Sequence, residues 1–465
     1  MLKKTDLDII KSYLEDSSNL SGGSADGVYI PENEQEITEA LKECNSKKTP
    51  LTTSAGQTGT TGGSIPFGGW VLTTQKLDKI INIDGKNKTA TVQPGVTLEA
   101  IEKAVKKEYL LYPPDPTEKT ATIGGNVATN ASGGRGYRFG ATRDWIRRLK
   151  VILPSGEILN LSRTKPAKRA KVKNSAGYYN QPGMDKIDLF VGSEGTLGIV
   201  SEIEIALAPA LQETFDIVAF FPSEQLAVDF VSAAKRSISQ SLDLSINFFE
   251  FFDQNTLQML KTNYPQIPAN AQSAIYIEQE ITPDNEATYL DYWAETLEKY
   301  QASLDNCWLG TDENKKEELR KFRHAIPEHI NELFTKHHLT KLATDIAVPE
   351  DKFRDMMDFY NNSPFVIRHS SLFKIKFGHI GENHLHVNLL PKNEEEKHAA
   401  KEIVMRFVKK AVSLGGTVSA EHGIGKIKHE YLKEMYGQAG IDSMIKTKTS
   451  LDPNLILNRN NIFKP

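Results

Sequence analysis

Apolar and polar positions along the chain follow two rhythms. Residues 33–47, NEQEITEALKECNSK, repeat apolar positions at helical spacing. Short β-rich runs follow at Trp70–Thr73, Lys79–Ile83 and Thr89–Val92, and a helix is predicted over Thr97–Glu108, with start signals at Thr97 and Glu99. A stretch dense in glycine and asparagine, 113–140, reads as loop. Two strand-like runs, Leu149–Leu153 and Ile199–Leu207, bracket a basic loop, and Ala208-Pro209-Ala210 reads as a boundary. From about 212 the pattern becomes strand–helix–strand: FDIVAFF, SEQLAVDFVSAAKRSI, LSINFFEFF and later SAIYIEQE. Amphipathic helices are predicted over 284–303 and 312–336, and strands over 342–348 and 372–390, which together describe an antiparallel α+β domain. The chain after 393 reads as helix, interrupted at Gly415-Gly416.

The length of 465 residues allows two or three domains at roughly 100–200 residues each, enough to enclose a large cofactor. A net charge of −4 gives no general reason to expect nucleic acid as a partner. The start, MLKKTDLDIIKSYLEDSS, has no apolar signal core, and no run is long enough to span a bilayer, so the expectation is a cytoplasmic protein with at most peripheral membrane contact. Cys44 and Cys307 are too few for a disulfide framework or an iron–sulfur cluster. The run RTKPAKRAKVK, 163–173, reads as a solvated loop, with a docking patch for an anionic group as the alternative.

Three glycine-rich stretches carry the first candidate chemistry. SAGQTGTTGGSIPFGG, 54–69, follows a predicted strand and lets backbone N–H groups approach an anion closely. It lacks the lysine of an ATP-binding P-loop and misses the GxGxxG spacing, so phosphate cradle and flexible loop both stay open. The segment 113–146 and VGSEGTLGIV, 191–200, add two more such loops. Three loops flanked by strands point to one extended cofactor wrapped by backbone, the alternative being three independent turns.

The second is FGHIGENHLHVNLL, 377–390. On a strand His384 and His386 share a face, and a turn at Gly381-Glu382-Asn383 returns His386 towards His379. Two imidazoles at the mouth of a hairpin suit a borderline metal such as zinc, and AEHGIGK, 420–426, offers Glu421 as a third ligand beside His422. Hydrogen-bonded histidines without a metal are the alternative.

The motifs SAGQTGTTGG, QPGVTLEAI, PPDP, TIGGNVATNASGG, YRFGATRD, KNSAGY, GSEGTLGIV, HIGENHLHVN, SAEHGIGK and DPNLILN occur in that order along nearly the whole chain. With them the chain resembles the vanillyl-alcohol-oxidase-like FAD flavoproteins, in the branch of D-lactate dehydrogenase, the glycolate oxidase flavin subunit and D-2-hydroxyglutarate dehydrogenase. The resemblance implies an α+β fold in three parts: an FAD-binding domain over 1–210, a substrate (cap) domain with a metal site over 211–414, and a C-terminal segment, 415–465, returning to the flavin. It implies FAD with its pyrophosphate on Gly56, Gln57, Thr58, Gly59 and Thr60, with Gly124, Gly125, Asn126, Thr129 and Asn130 on the other flank, and with Ala55, Pro114, Asp115 and Gly140 as further contacts. Glu194, Gly195, Gly198, Ile199, Val200 and Asn458 complete that set. Some relatives attach FAD covalently through a histidine in the first loop; here the first histidine is His324, so non-covalent FAD is implied.

The same resemblance implies a divalent metal, zinc first with manganese or iron as alternatives, held by His379, His386 and Glu421. His422 is implied as the base. The usual family turn is Gly-Asp-Gly-Asn, whereas this chain has Gly381-Glu382-Asn383-His384, which makes His384 a surplus donor. Arg323 and Asn388 match substrate contacts, and Lys341 is a loose match for a further one. Pro327 stands where the 2-hydroxyglutarate branch has a threonine, so the expected reaction is D-lactate to pyruvate. D-2-hydroxyglutarate or glycolate oxidation is the alternative, and an alkylglycerone-phosphate synthase-like transferase the alternative class. Relatives deliver electrons to electron-transfer flavoprotein, quinones, iron–sulfur subunits or cytochromes; a separate acceptor is expected here, and a homodimer is compatible.

Overall fold

The computed structural model describes residues 1–240, 244–337 and 342–465. Its architecture is α+β, built on three main sheets. In the first, Leu2–Lys4, Gly27–Ile30, Trp70–Thr73 and Leu51–Ser54 lie in that order, the last three parallel. The predicted helix over 33–47 forms as Glu34–Lys47, where the Asn33 side chain accepts from the Glu36 N–H and Ile37, Ala40, Leu41 and Cys44 pack inward. The second sheet is antiparallel, ordered Ile80–Asp84, Thr89–Val92, Ile199–Ala206, Ile146–Ile152 and Ile158–Ser162.

The third and largest sheet is antiparallel and carries the candidate site. Its order is Trp308–Gly310, Thr214–Phe221, Ser273–Glu280, Ile246–Asp253, Phe373–Gly378, His384–Leu390 and Leu342–Ala343, with Ile346–Ala347 also pairing the His384 strand. Its central strands are buried on both faces, which explains runs such as FDIVAFF with no polar alternation. Phe215, Ile217, Ala219 and Phe221 face one core together with Phe230 and Trp293 from the helices Glu224–Gln240 and Glu286–Lys299. Val218 and Phe220 face the other, against Leu319, Phe322 and Ile326 of the helix Glu313–His337.

Within this sheet Asp216 is fully buried; it accepts from Tyr276 Oη at 2.6 Å through Oδ2, while Oδ1 has no partner. Burial, with Glu278 nearby, pushes its carboxyl up to about 7. The folded chain therefore binds an extra proton between 3.8 and about 7, and stability falls as pH rises through that window. The neutral isostere in Asp216→Asn escapes this cost. Measured by denaturant unfolding, the variant gains on the order of 1–2 kcal/mol relative to wild type on going from about pH 5.5 to about pH 8. A pH-independent difference would contradict the assignment.

Two expectations need correction. The stretch 113–140 is not loop throughout: Ile123–Thr129 is helical, with the Thr122 side chain accepting from the Gly125 N–H at 3.3 Å. Its glycines weaken the helical signal in the sequence, while the N-cap and the packing of Ile123 and Val127 in the core provide what propensity lacks. The basic run 163–173 is not simply solvated either. Arg163 pairs with Asp188 at 2.8 Å, and Lys173 lies buried in the candidate site, so only its middle faces water.

Candidate active site

The predicted hairpin forms from Phe373–Gly378 and His384–Leu390, with Phe377 opposite His386. A 3₁₀ turn over Ile380–Glu382 closes it, ending on Asn383 at φ 55. His384, His386 and Asn388 share one face of the second strand. The turn swings His379 onto that face, with ring centroids 5.5 Å from His386 and 5.3 Å from His384. Glu421 arrives from the loop between the helices Glu394–Ser413 and His429–Leu451. Its Oε1 lies 3.1 Å from His379 Nε2, 3.3 Å from His386 Nε2 and 3.8 Å from His422 Nε2. Candidate ligand atoms of His379, His384, His386 and Glu421 all lie within 4.8 Å of one another.

Groups that the sequence reading did not single out hold these donors in place. Glu250 Oε1 stands 2.7 Å from His379 Nδ1 and 2.7 Å from Arg323 Nη2. A carboxylate behind a ligating imidazole fixes its tautomer and raises its basicity. Asp345 does similar work behind the other two histidines: its Oδ1 lies 3.0 Å from His384 Nε2 and its Oδ2 lies 3.4 Å from His422 Nδ1. It also accepts from the His422 backbone N–H, Ser419 Oγ and Lys428 Nζ. Asp345 reaches this position because the predicted strand 342–348 breaks into two short pieces on either side of it. Glu421 Oε2, in turn, accepts from Ser132 Oγ at 2.9 Å and from the Gly133 N–H at 3.4 Å, and it pairs with Lys173 Nζ at 2.8 Å. Lys173 also reaches Glu382 in the hairpin turn at 2.8 Å. One carboxylate oxygen is thereby spent on the protein, and the other is aimed at the imidazoles.

The electrostatics suit a cation. Burial raises the carboxyl of Glu421, but Lys173 and His379 outweigh it and hold the group well below its ordinary range. Glu250 is likewise held at about 2, where Arg323 and His379 overcome burial. Burial lowers His379, yet Glu250 and Glu421 hold it up at about 9. His384 and His422 are pushed down by burial, to about 3 and about 4, and so keep free lone pairs at neutral pH. His384 Nδ1 and both amide atoms of Asn388 are buried without a hydrogen-bond partner. Neutral imidazoles at His384 and His422, a carboxylate with one oxygen turned inward and unsatisfied buried atoms on one face fit a divalent ion with an oxygen-bearing ligand, which would take the place of the proton that Glu250 and Glu421 favour on His379.

Arg323 lies at the edge of this cluster, against Gly134. A side chain at Gly134 would collide with the guanidinium, so the arginine's position depends on that glycine. Among the described residues its guanidinium makes no hydrogen bond beyond the one to Glu250, and several N–H groups stay available. Lys341 lies outside the described residues.

Some of the residues assigned to FAD, Ala55–Thr60 and Asn458, lie at the carboxyl ends of the parallel strands Leu51–Ser54 and Trp70–Thr73, where ligands bind in such sheets. Ala55–Thr60 leave the first strand as a partly exposed loop, and Gly56 packs beside Thr120 and Thr122. Gly124 and Gly125 open the Ile123–Thr129 helix. The helix also holds Asn126, whose Nδ2 is buried and unpartnered, and Thr129, which caps Gly125 O. The hydroxyls of Thr53, Ser54 and Thr74 are also buried without partners at these strand ends, which fits a polar cofactor. Asn130 Oδ1 accepts from the Arg143 N–H, and Asn458 bridges the Thr53 N–H and Glu194 O, both at 2.8 Å.

Other residues of that set do structural work. Gln57 turns its side chain to Ser12 O and Glu15 O. Asp115 pairs with Lys119 and Arg135; Pro114 beside it is buried, and Gly140 packs against Asp144. Gly195 at φ +68 packs on Asn458, Gly198 on Val151, and Ile199 and Val200 run into the core. Glu194 is buried and accepts from the Ile424 and Gly425 N–H groups at 2.7 and 2.8 Å. That contact clamps the 421–425 loop to the glycine-rich domain, where Gly425 sits against Thr61 too closely for any side chain. The glycine-rich loops and the histidine cluster therefore meet on the same loop.

Comparison with known proteins gives the family. The family model described as "FAD binding domain" matches residues 25–162, and that described as "FAD linked oxidases, C-terminal domain" matches residues 212–462. The chain belongs to the FAD-linked oxidases. As an FAD-linked oxidase it is 32% identical to the glycolate oxidase subunit GlcD of Bacillus subtilis, over 97% of this chain and 92% of that one. It is 30% identical to a D-lactate dehydrogenase of Anaerostipes hadrus, with the same coverage. A D-2-hydroxyglutarate dehydrogenase of Xanthomonas citri is 29% identical over 94% of this chain and 89% of its own. Among solved structures, a 4-ethylphenol oxidase from Gulosibacter chungangensis shares the fold at TM-score 0.72 and 16% identity, covering 99% of this chain and 94% of its own. An alkyldihydroxyacetonephosphate synthase shares it at TM-score 0.71 and 16% identity, covering 98% and 81%. These two similarities concern the fold alone. No described helix is long and apolar enough to cross a membrane.

Proposed function

We propose that this FAD-linked oxidase converts a D-2-hydroxy acid to the 2-oxo acid, D-lactate to pyruvate first, with non-covalent FAD over residues 1–210 and a divalent cation on His379, His386 and Glu421. The observation that carries the reading is the convergence of two imidazole Nε2 atoms on Glu421 Oε1, with His422 Nε2 on the same oxygen. When bound, FAD supplies a hydride acceptor and the cation supplies Lewis acidity at the substrate hydroxyl. Arg323 binds the substrate carboxylate through its free N–H groups, and Asn388 offers its unpartnered amide beside it. His422 takes the hydroxyl proton on Nε2, since its Nδ1 faces Asp345. A small monocarboxylate suits the site because the cation beside Glu421, Lys173, is already paired with Glu382 and Glu421. The relatives named for D-lactate, glycolate and D-2-hydroxyglutarate support the substrate class. Electrons then pass to a separate acceptor.

The test is an anaerobic screen of D- and L-2-hydroxy acids that follows flavin bleaching. D-lactate is expected to bleach the flavin, L-lactate to leave it yellow, and prior chelation to slow bleaching by about 10²-fold or more. Bleaching by D-2-hydroxyglutarate or glycolate alone would move the substrate assignment, and rates indifferent to chelation would remove the metal from the reaction.

A further inference from the structure

We propose that His384 is a fourth protein ligand, so that the centre holds its cation with three imidazoles and one carboxylate. The proposal rests on the reading above that this cluster binds a metal, and it assigns a residue outside the His379–His386–Glu421 set. His384 is 0% exposed and shares its strand face with His386, their ring centroids 4.6 Å apart. Its Nε2 lies 3.0 Å from Asp345 Oδ1, although out of alignment for a full hydrogen bond. Its Nδ1 is buried with no partner. His379 shows a related arrangement, with Glu250 on Nδ1 and Nε2 turned to Glu421 Oε1, and a donor atom of His384 lies within 4.8 Å of those of His379, His386 and Glu421. A histidine serving only to pack would leave that second nitrogen unpaid in the core.

The added ligand decides the ion. Four protein donors would close a tetrahedral zinc site and leave the substrate no position. On a six-coordinate ion such as manganese, iron(II) or cobalt, the same four donors leave two positions, which match the hydroxyl and one carboxylate oxygen of a 2-hydroxy acid. With His384 as a ligand, a six-coordinate ion would suit this centre better than tetrahedral zinc.

The test counts imidazoles on the ion by X-ray absorption spectroscopy of the FAD-loaded protein reconstituted with manganese or cobalt. Wild type is expected to show three, and His384→Asn, which keeps a polar contact for Asp345, two. Metal affinity by chelator competition is expected to fall about tenfold or more in the variant. Two imidazoles in wild type would overturn the proposal while leaving the metal site itself standing, and so would a His384→Asn protein with unchanged imidazole count and affinity. The wild-type count needs no variant to fold. A wild type that takes up no ion would overturn the functional reading and this inference with it.

Discussion

In Glu421→Gln, D-lactate is expected to leave the flavin oxidised, with bleaching slowed about 10³-fold or more, a loss of roughly 4 kcal/mol in transition-state stabilisation. The orientation of the carboxylate accounts for the size of the effect. Oε2 faces three donors, Ser132 Oγ, the Gly133 N–H and Lys173 Nζ. An amide NH₂ cannot sit among three donors, so the glutamine must place its carbonyl there and turn the NH₂ towards His379 and His386. The anionic donor of the His379–His384–His386–Glu421 group becomes a hydrogen-bond donor, and an ion held there would lose that charged ligand. The contacts that the FAD set makes elsewhere remain, so bound FAD should stay stoichiometric while metal content falls. A metal-free variant that turns over at the wild-type rate would refute the mechanism.

His422→Ala is expected to separate proton transfer from binding: kcat for D-lactate falls about 10²- to 10⁴-fold while FAD and metal contents stay at wild-type levels. The ring stacks on His386 at 5.3 Å with an interplanar angle of 22°, and its side chain is 36% exposed, so a proton taken from the substrate can leave to solvent. Asp345, held in turn by Ser419 and Lys428, keeps its carboxylate on Nδ1 and leaves Nε2 to act. Added imidazole should restore part of the rate to the alanine variant, a signature that a purely structural histidine would not give. Full turnover without the ring would give the base to another group.

Much of the fold was legible because burial imposes a period on the sequence. SAIYIEQE forms a strand over all eight of its residues because a short run rich in β-formers suits a strand buried on both faces, and 34–47 forms a helix because it must hide one face at helical spacing. The helix in the glycine-rich stretch was missed because IGGNVAT has poor helical propensity, and its stability comes from a cap and from core contacts. Lys173 was missed because it ends a run that otherwise looks solvated. A signal for Glu250 did exist: it is a single charge inside NFFEFF, an otherwise apolar strand, where a buried carboxylate requires partners.

The sequence alone determined most of the elements, the glycine-rich loops and the histidines, since strand periodicity and a short turn bring His379, His384 and His386 to one face. Only the tertiary structure decided which groups stand behind them. Glu250 lies 129 residues from His379, Asp345 lies 77 from His422, and Ser132 lies 289 from Glu421. Local pattern encodes which face of an element is buried, but which buried face meets which follows from how the sheets and the returning C-terminal loop pack. That packing leaves a single oxygen of Glu421 turned towards the histidines.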